Sequence, residues 1–404
     1  MSQFAWFFQS RGTKEISFDD FRLFNHQFSE TYTTVDLQSR SDLLVKCRLL
    51  TKRGSCYAFA YPYIYYFFLG KYLAKTLNDD PAIKPWVISA CGKLYQREYA
   101  NTILFLTHHD SSSWVIQQIL TVMRECFFDK KPIEFNGDTK QINTLIATAS
   151  QLVLATQNVE RNQEELRQFE DEIGEVEEKI PDPEPNAAGE LEFFAKATLL
   201  LKTSEIAGQI LKNYYGSLAK PLKAELLAEV FNGPLRLLRL NLEEIAVDMD
   251  GFVAYISNLL LKDERITDSD NREVYARKFA FNFLRWLGTS VIASTSYFVS
   301  SDKLREDISN LVKGNPTVAY RLIDIGTRLV RPGHLPLEEI AKLAKDLDDN
   351  HYPFAILQFL GATHLYQFHL EKADKDKLCS ILKITDRDMK TIELRGRDTK
   401  LITS

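Results

Sequence analysis

One stretch, residues 56–77, constrains the fold more than any other part of the chain. It reads Cys-Tyr-Ala-Phe-Ala-Tyr-Pro-Tyr-Ile-Tyr-Tyr-Phe-Phe-Leu-Gly-Lys-Tyr-Leu-Ala-Lys-Thr-Leu. Large residues alternate with alanine up to Tyr61, and this alternation predicts a β-strand. Pro62 then suits the first turn of a helix, because the N–H that proline lacks has no helical partner there. We therefore expect a hairpin strand that leads directly into a long, largely buried helix.

The residues before this stretch predict a winged-helix-like module. The expected partner strand is residues 49–51, across a Lys-Arg-Gly-Ser turn. Ser17 is the predicted N-cap of a helix that has acidic residues in its first turn and phenylalanines at helical spacing. A second short helix is expected over residues 36–48. Helices followed by a two-stranded wing make residues 1–79 the first predicted domain.

Composition and charge exclude several classes of protein. A chain of 404 residues allows about two to four domains. Its net charge of -5 argues against a protein whose main task is to coat nucleic acid. The aromatic stretch is too short and too polar to cross a membrane, and the N-terminus does not resemble a signal peptide. Five scattered cysteines favour reduced, buried thiols, so we expect a cytoplasmic protein.

The rest of the chain predicts helices without a fixed repeat period, so the expected fold class is all-α, a winged-helix-like module with a short β-hairpin followed by an irregular multi-helix array. A helix around Gly208 is apolar on two faces, and its small residues predict a close approach by a neighbouring helix. The other predicted helices are residues 81–95, 97–107, 111–128, 140–157, 222–231, 234–261, 272–298, 302–313, 318–329, 337–347, 353–368 and 375–382.

A shift in composition supplies the predicted domain boundary. Glutamates and aspartates are followed by spaced prolines in residues 160–185, which predicts an acidic helix that frays into a linker. We expect a helical segment over residues 80–158, the linker over 159–189, a helical domain over 190–385 and a loose, charged tail over 386–404.

The sequence does not predict a catalytic site. His108, His109 and Asp110 are followed by three serines, so this cluster contains every residue type of a hydrolytic triad. Adjacent residues on one turn do not readily point at a common atom, whereas Asp and Ser are preferred helix caps. We interpret the cluster as the end of one helix and the cap of the next.

Metal and nucleotide sites are not predicted either. His364 and His369 are five positions apart rather than four, His351 lies on another segment, and there is no C-x-x-C pair. The Gly70-Lys71 and Gly92-Lys93 pairs lack the glycine-rich turn of a P-loop. We therefore expect no catalytic residue, metal or cofactor in this chain.

Basic residues on the wing are the candidate for nucleic-acid contact. Lys46, Arg48, Lys52 and Arg53 cluster on and before the turn, where winged helices contact phosphates. Acidic residues flank the candidate recognition helix, and surface hairpins are commonly basic without a ligand. A solvated wing is the favoured interpretation, and nucleic-acid contact is the alternative.

The aromatic helix is the candidate for packing between domains. Its tyrosines and phenylalanines could form a platform on which bases stack. Their helical spacing favours a core or a domain interface instead. The predicted inter-domain packing residues are Tyr63, Tyr66, Phe67 and Tyr72.

Several segments carry a resemblance to a known family. Residues 57–74 are similar to the F-x-Y-x-Y-x-Y-Y-F-x-A-x-Y-L-A segment that closes the nucleotide-binding module of bacterial STAND NTPases, the NACHT-like signalling ATPases. Residues 98–108, 202–218 and 362–368 resemble later helices of the same proteins. The chain as a whole thus resembles their C-terminal half, a winged helix with a helical sensor region.

The resemblance implies a role rather than a chemistry. Family members carry an effector domain and a P-loop ATPase before the winged helix. Neither is found here, so ATP and Mg²⁺ are expected only on a missing NTPase module, in cis or in trans. The apolar residues 4–8 fit a segment that is cut from, or normally docked against, that module. The implied partner is a protein trigger such as a phage protein, in antiphage defence or signalling, and the oligomeric state is left open.

Two alternatives belong to other classes. The first is a winged-helix nucleic-acid-binding regulator with a helical oligomerisation domain. The second is an enzyme built around His108 and His109, which the triad geometry disfavours.

Overall fold

The computed structural model describes residues 1–110, 113–146, 152–154, 159–168, 192–260 and 269–386. These residues are mostly helical, with a three-stranded antiparallel sheet near the N-terminus and a two-stranded parallel pair. The predicted fold class is therefore confirmed. The described residues form two compact units, one with residues 1–123 and 192–206 and the other with residues 124–168 and 207–386. The domain limits that composition indicated stay predictions.

The first unit begins with a winged-helix-like module. Strand β3 lies between β1 and β2 and is antiparallel to both, so β2 and β3 form the wing. Its elements follow the order helix, strand, helix, helix, strand, strand: α1 (Ser2–Arg11), β1 (Glu15–Ser17), α2 (Phe18–Thr31), α3 (Leu37–Lys46), β2 (Leu50–Arg53) and β3 (Cys56–Phe59).

The wing has a tighter turn than the sequence predicted. Arg53 pairs with Cys56, so the connection is Gly54-Ser55 and the assignment of Lys52 and Arg53 to the turn was wrong. Gly54 has a φ of 62°, the left-handed conformation that two-residue hairpin turns require. The sequence analysis also missed β1, because a strand of three residues is too short to show alternation.

The apolar N-terminal residues are part of this module's own core. Phe4 and Phe8 are buried with Phe21, Phe24 and Tyr57, and the Phe4 ring lies 4.8 Å from that of Phe21. The expectation that this segment packs against something is confirmed. The interpretation that it docks on a missing module was wrong for Phe4 and Phe8, because the module itself buries them.

Helix α2 begins with the capping residue that the sequence predicted. The Ser17 hydroxyl accepts from the Asp20 backbone N–H at 3.1 Å, and the Asp20 carboxylate accepts from the Ser17 backbone N–H at 3.2 Å. This reciprocal capping box gives two otherwise unpaired N–H groups a partner. The Ser17 side chain's hydrogen bond also lowers the pKa of the Asp20 carboxyl.

Removal of this cap should weaken the module. We expect Ser17→Ala to lower the free energy of unfolding by about 1 kcal/mol, measured by urea denaturation with tryptophan fluorescence. Ser10→Ala is the control, since the Ser10 hydroxyl is exposed and bonds only within its own helix, to the Phe7 carbonyl oxygen. If the free energy of unfolding falls by the same amount in both variants, the capping box makes no specific contribution to stability.

The module continues into helices that pack on it. Helix α4 (Pro62–Thr76) is followed by α5 (Ile83–Cys91), α6 (Arg97–His109) and α7 (Ser113–Glu125). Pro62 opens α4 as predicted, and α4 packs against both α1 and α6. Gly70 lies where α4 meets α6, because a Cβ there would lie 2.7 Å from the backbone nitrogen of Leu106.

The second unit contains most of the later helices. Helix α10 begins in the first unit and ends in the second. The remaining elements are α8 (Lys140–Asn143), β4 (Leu152–Leu154), α9 (residues 159–168), α10 (Phe193–Tyr214), α11 (Lys220–Val247), α12 (Met249–Leu260), α13 (Ser269–Val299), a 3-10 turn (Asp302–Leu304), α14 (Arg305–Gly314), α15 (Val318–Leu329), α16 (Leu337–Asp346), α17 (His351–Gln367), α18 (Lys372–Ile381) and β5 (Ile384–Asp386).

Two predicted elements of this unit were wrong. The helix expected over residues 140–157 is a single turn, α8, followed by strand β4, which pairs in parallel with β5. A short apolar run such as Leu-Val-Leu does not distinguish strand from helix. Pro234 does not start a new helix, because α11 continues through it and ends at Val247. Helix α9 lies at the start of the segment predicted as an acidic helix and linker, and β5 ends where the loose tail was predicted to begin. The rest of that linker, residues 169–191, and of that tail, residues 387–404, lies outside the described residues.

Helix α13 is the centre of this unit. It packs against α11, α12, α15 and α17. Gly208 of α10 faces the backbone carbonyl of Phe298 in α13, which confirms the predicted close approach. On another side of α13, the Ser296 hydroxyl donates to the Ile323 carbonyl oxygen of α15 at 3.1 Å. Small and hydroxyl side chains thus let two neighbours approach α13 closely.

Candidate functional site

The wing displays the four basic residues that the sequence singled out. Lys46 ends α3, Arg48 follows it with a φ of 54°, and Lys52 and Arg53 lie on β2. All four side chains are exposed. The Arg53 guanidinium lies 3.1 Å from the Glu15 carboxylate, and the Lys52 ammonium lies 5.6 Å from the centre of the Tyr57 ring. The structure therefore exposes these cations at the end of α3 and along β2, and the Glu15 carboxylate partly offsets the charge of Arg53.

The helix that precedes the wing carries negative charge on its exposed surface. Asp36 caps α3 by accepting from the Ser39 backbone N–H at 2.7 Å, and this bond lowers the pKa of the Asp36 carboxyl. Asp42 accepts from the Gln38 side chain at 3.0 Å. In a DNA-binding winged helix this helix would enter the major groove. Two carboxylates at that position weaken the electrostatic match with a duplex.

The predicted packing residues of α4 contact helices on two sides. Tyr72 stacks on Trp6 of α1 at 5.2 Å between ring centroids. Phe67 contacts Phe105 of α6 at 5.7 Å, and Tyr66 lies beside Tyr65. Tyr63 stacks on Tyr61 and is 60% exposed. All four side chains thus make aromatic contacts, Tyr72 and Phe67 with neighbouring helices, and their role between domains stays a prediction.

Sequence reasoning missed a polar contact beneath these rings. The Tyr65 hydroxyl donates to the Gln9 side-chain oxygen at 2.7 Å and lies 3.3 Å from the Glu98 carboxylate. Burial, with the nearby Glu98 charge, raises the pKa of the Tyr65 phenol. Because a buried tyrosine usually finds a hydrogen-bond partner, a Tyr inside an apolar stripe was the available signal. This contact ties α1, α4 and α6 together.

The histidine cluster is separated by packing. His109 lies edge-on to Phe67 at 4.9 Å between ring centroids, whereas the ring centroid of His108 lies 6.2 Å from that of Phe105. Burial lowers the pKa of His109. Asp110 ends α6 as its C-cap, as predicted. The serine cap predicted for the next helix rests on residues 111–112, which lie outside the described residues.

His364 and His369 have separate partners. His364 is buried, with Nδ1 at 2.7 Å from the Leu329 carbonyl oxygen, and burial lowers its pKa. His369 is exposed and pairs with Glu160 at 2.9 Å. Among the residues that the structure describes, no group of three or more His, Cys, Asp or Glu side chains is arranged to hold a metal ion. Nor does any helix there combine the length and apolarity that a membrane crossing requires.

An open groove between α14, α15 and α16 has a volume of about 890 Å³. Two of the arginines that line it, Arg321 and Arg328, are paired with carboxylates. Arg328 lies 3.2 Å from Asp324 and 2.9 Å from Glu339, and Arg321 lies 2.7 Å from Asp346. Such mutual pairing is typical of a solvated charged surface, so the groove offers no obvious chemistry.

The fold and these surfaces define a winged-helix-like module that helices continue. Its described candidate residues are mostly engaged in packing and in ion pairs. Comparison with protein families supports a relationship in this module: residues 14–69 match the family described as Novel STAND NTPase 4. The match runs from just before β1 into α4, and it associates this part of the chain with STAND NTPases. Neither the comparison with curated proteins nor that with solved structures returned a match.

Proposed function

We propose that this chain is the non-enzymatic sensor and regulatory region of a STAND-type NTPase in bacterial antiphage defence or signalling. The winged-helix-like module regulates an NTPase module supplied in cis or in trans, and ATP and Mg²⁺ bind there. The helices from α5 onward recognise a protein trigger in the cytoplasm. A bound trigger shifts the balance between resting and active states through its different affinities for them.

The observation that carries this proposal is the position of the family match. Residues 14–69 contain the sheet, α2, α3 and the first half of α4, and these elements share a core. The same helix α4 then packs on α6. The family match therefore falls on a structural module with its own core, and α4 leads from this module into the helices that follow.

The side chains of the described residues support a binding role over catalysis. In the candidate triad, Asp110 caps the end of α6 and His109 packs against Phe67. Elsewhere, His364 contacts the Leu329 backbone carbonyl and His369 pairs with the Glu160 carboxylate at the surface. A hydrolytic site needs a nucleophile, a base and an orienting group that meet at one point. Of the described members of the cluster, His109 lies against Phe67 and Asp110 caps α6, which supports a structural role for them.

Affinity purification with candidate triggers tests the proposal. The full chain is immobilised and mixed with a panel of purified phage proteins, each of which is also scored for activation of a STAND NTPase system that contains the chain. We expect the activating proteins to bind with micromolar or tighter affinity. A phage protein that activates the system and yet does not bind the chain would contradict the sensor assignment.

The nucleic-acid alternative rests on the four exposed wing cations. It predicts salt-dependent binding to a DNA duplex that is lost in a Lys52→Glu, Arg53→Glu variant. Our proposal instead predicts no duplex binding at physiological salt, and a change in unfolding free energy within about 0.5 kcal/mol for that variant. Fluorescence anisotropy with a labelled duplex at several salt concentrations measures the first quantity, and urea denaturation measures the second.

A second charge reversal serves as the matched control. Lys220 and Lys313 are exposed at the ends of α11 and α14, so Lys220→Glu with Lys313→Glu changes the total charge equally but away from the wing. Duplex binding that the wing variant loses and this control keeps would favour the nucleic-acid regulator.

A further inference from the structure

We propose that helices α12 and α13 form a docking surface for an acidic, amphipathic helix of a protein partner. This inference rests on the proposed function, because the partner it describes is the trigger. We call this face the α12–α13 aromatic surface. Its exposed members are Tyr255, Leu259, Tyr275, Phe279, Phe283 and Trp286.

The residues of this surface form two neighbouring rows. Tyr255 and Leu259 are one turn apart on α12. Tyr275, Phe279, Phe283 and Trp286 are spaced by four, four and three residues on α13, so they share one face of that helix. Phe252 contacts Phe283 with ring centroids 6.0 Å apart, and Phe283 contacts Trp286 at 6.1 Å. These ring contacts join the rows into one continuous surface.

The exposure of these side chains is unusual for large aromatic residues. Phe279 is 56% exposed and Trp286 is 60% exposed, although the adjacent face of α13 is buried at Ala276, Ala280 and Leu284. Single exposed apolar residues need no explanation, but a contiguous patch commonly marks an interaction site. Trp and Tyr are also the residues that contribute most to binding when a partner buries them.

The charge around the surface specifies the chemistry of the partner. From Val274 to Val299 the charged residues of α13 are Arg277, Lys278 and Arg285, and the acids of the two helices are confined to their starts, at Asp250 on α12 and at Asp270 and Glu273 on α13. The Arg277 guanidinium is paired with Glu273 at 3.0 Å, whereas the side chain of Lys278 is exposed next to Phe279. The Arg285 guanidinium lies 5.4 Å from the ring centre of Phe359 on α17. A partner with acidic residues beside its apolar ones complements this pattern.

The two rows favour a helix over a single nucleic-acid strand. Two packed helices leave a seam along which an apolar stripe at positions i, i+3, i+4 and i+7 can lie. A nucleic-acid strand brings one phosphate for each stacked base and needs a groove lined with cations. Lys278 and Arg285 are too few for that purpose, but they suffice to pair with carboxylates at the edge of an amphipathic helix.

Three designed peptides test the proposal on the full chain. Each is a helix of about five turns with the same leucine stripe, and the positions beside the stripe are all Glu, all Gln or all Lys. Fluorescence anisotropy measures their binding at low and physiological salt. We expect the Glu peptide to bind at least about tenfold more tightly than the Lys peptide, with the difference decreasing as salt rises.

Substitutions locate the binding on this surface. The Phe279→Ala, Trp286→Ala double variant should bind the Glu peptide at least about tenfold more weakly than the parent does. Lys278→Glu should remove most of the difference in affinity between the Glu and Lys peptides. These side chains are exposed, so the variants should keep the far-UV circular dichroism of the parent. Phe128→Ala is the control, because Phe128 is 79% exposed but belongs to neither helix.

Three outcomes would overturn the inference. The first is equal binding of the Glu and Lys peptides, or no binding of either. The second is binding of single-stranded DNA but not of peptide, which would make the surface a stacking platform. The third is a dimer, seen by sedimentation and lost in the Trp286→Ala variant, without peptide binding.

The inference and the proposed function fail in different ways. If an activating phage protein binds the Phe279→Ala, Trp286→Ala variant as tightly as the parent, the sensor role stands and this surface is not the site. If the Glu peptide binds as expected but no activating protein binds the chain, the surface stands and the sensor role does not.

Discussion

Replacement of Gly70 by alanine should destabilise the first unit by about 2 kcal/mol. A Cβ at this position would lie 2.7 Å from the Leu106 backbone nitrogen and 2.8 Å from the Phe105 Cβ. Both atoms belong to the body of α6 rather than to a flexible side chain, so α4 and α6 would have to separate. The higher helix propensity of alanine recovers only about 1 kcal/mol.

The measurement is urea denaturation followed by tryptophan fluorescence. Trp6, Trp86 and Trp114 lie in the first unit, and Trp6 stacks on Tyr72 of α4, so the signal reports on this packing. Gly92→Ala is the matched control, since the nearest atom to a Cβ there is the Ser89 carbonyl oxygen at 3.6 Å, an ordinary contact. Equal stability of the two variants would mean that α4 and α6 can move apart at little cost.

The second large effect should come from a buried ion pair in the second unit. Glu229 and Arg236, two turns apart on α11, are hydrogen-bonded to each other and are each 7% exposed. Arg236→Met removes the cation and leaves the Glu229 carboxylate buried without its charge partner. We expect a loss of about 3 kcal/mol or more in unfolding free energy, a large fraction of the stability of a typical domain.

Replacement of both partners separates the charge effect from packing. The Glu229→Leu, Arg236→Met double variant should recover most of the loss, because no charge then remains buried. The control is Arg124→Met, since Arg124 of α7 pairs at 2.9 Å with Glu225 of α11 but both side chains are about half exposed; it should cost less than about 1 kcal/mol. Far-UV circular dichroism during denaturation measures all three. A loss below about 1 kcal/mol for Arg236→Met would indicate that water reaches Glu229.

Local signals predicted the elements whose cause is local. Ser17 and Asp20 start α2, Pro62 starts α4, and Gly208 marks a close helix contact, because caps, proline and small side chains act over a few residues. Strong periodicity also placed α13 and α15 within a few residues of their ends.

Elements that depend on distant partners were missed. Strand β4 pairs with β5, which lies more than two hundred residues later in the chain. The residues around β4 do not indicate this partner, so the local pattern could not predict the strand. Pro234 looked like a helix start, yet packing on every side holds α11 together through it. Tertiary contacts override local preference at such positions.

The candidate surfaces were predictable to different degrees. The wing cations could be found from sequence, because basic residues beside a hairpin turn are exposed almost by necessity. The α12–α13 aromatic surface could not, because α13 carries apolar residues on both its buried and its exposed faces. Periodicity alone does not say which of two apolar faces the core will cover.

The pairing of β4 with β5 has a consequence for how the chain folds as it is synthesised. Residues 152–154 are made long before residues 384–386, and until then the edge of β4 that will pair with β5 lacks this partner. Contacts between residues so distant in sequence form late, after local helices. The pairing of these two strands therefore waits until residues 384–386 have left the ribosome, and a chain that has not reached them would present the β4 edge to chaperones and to other nascent chains.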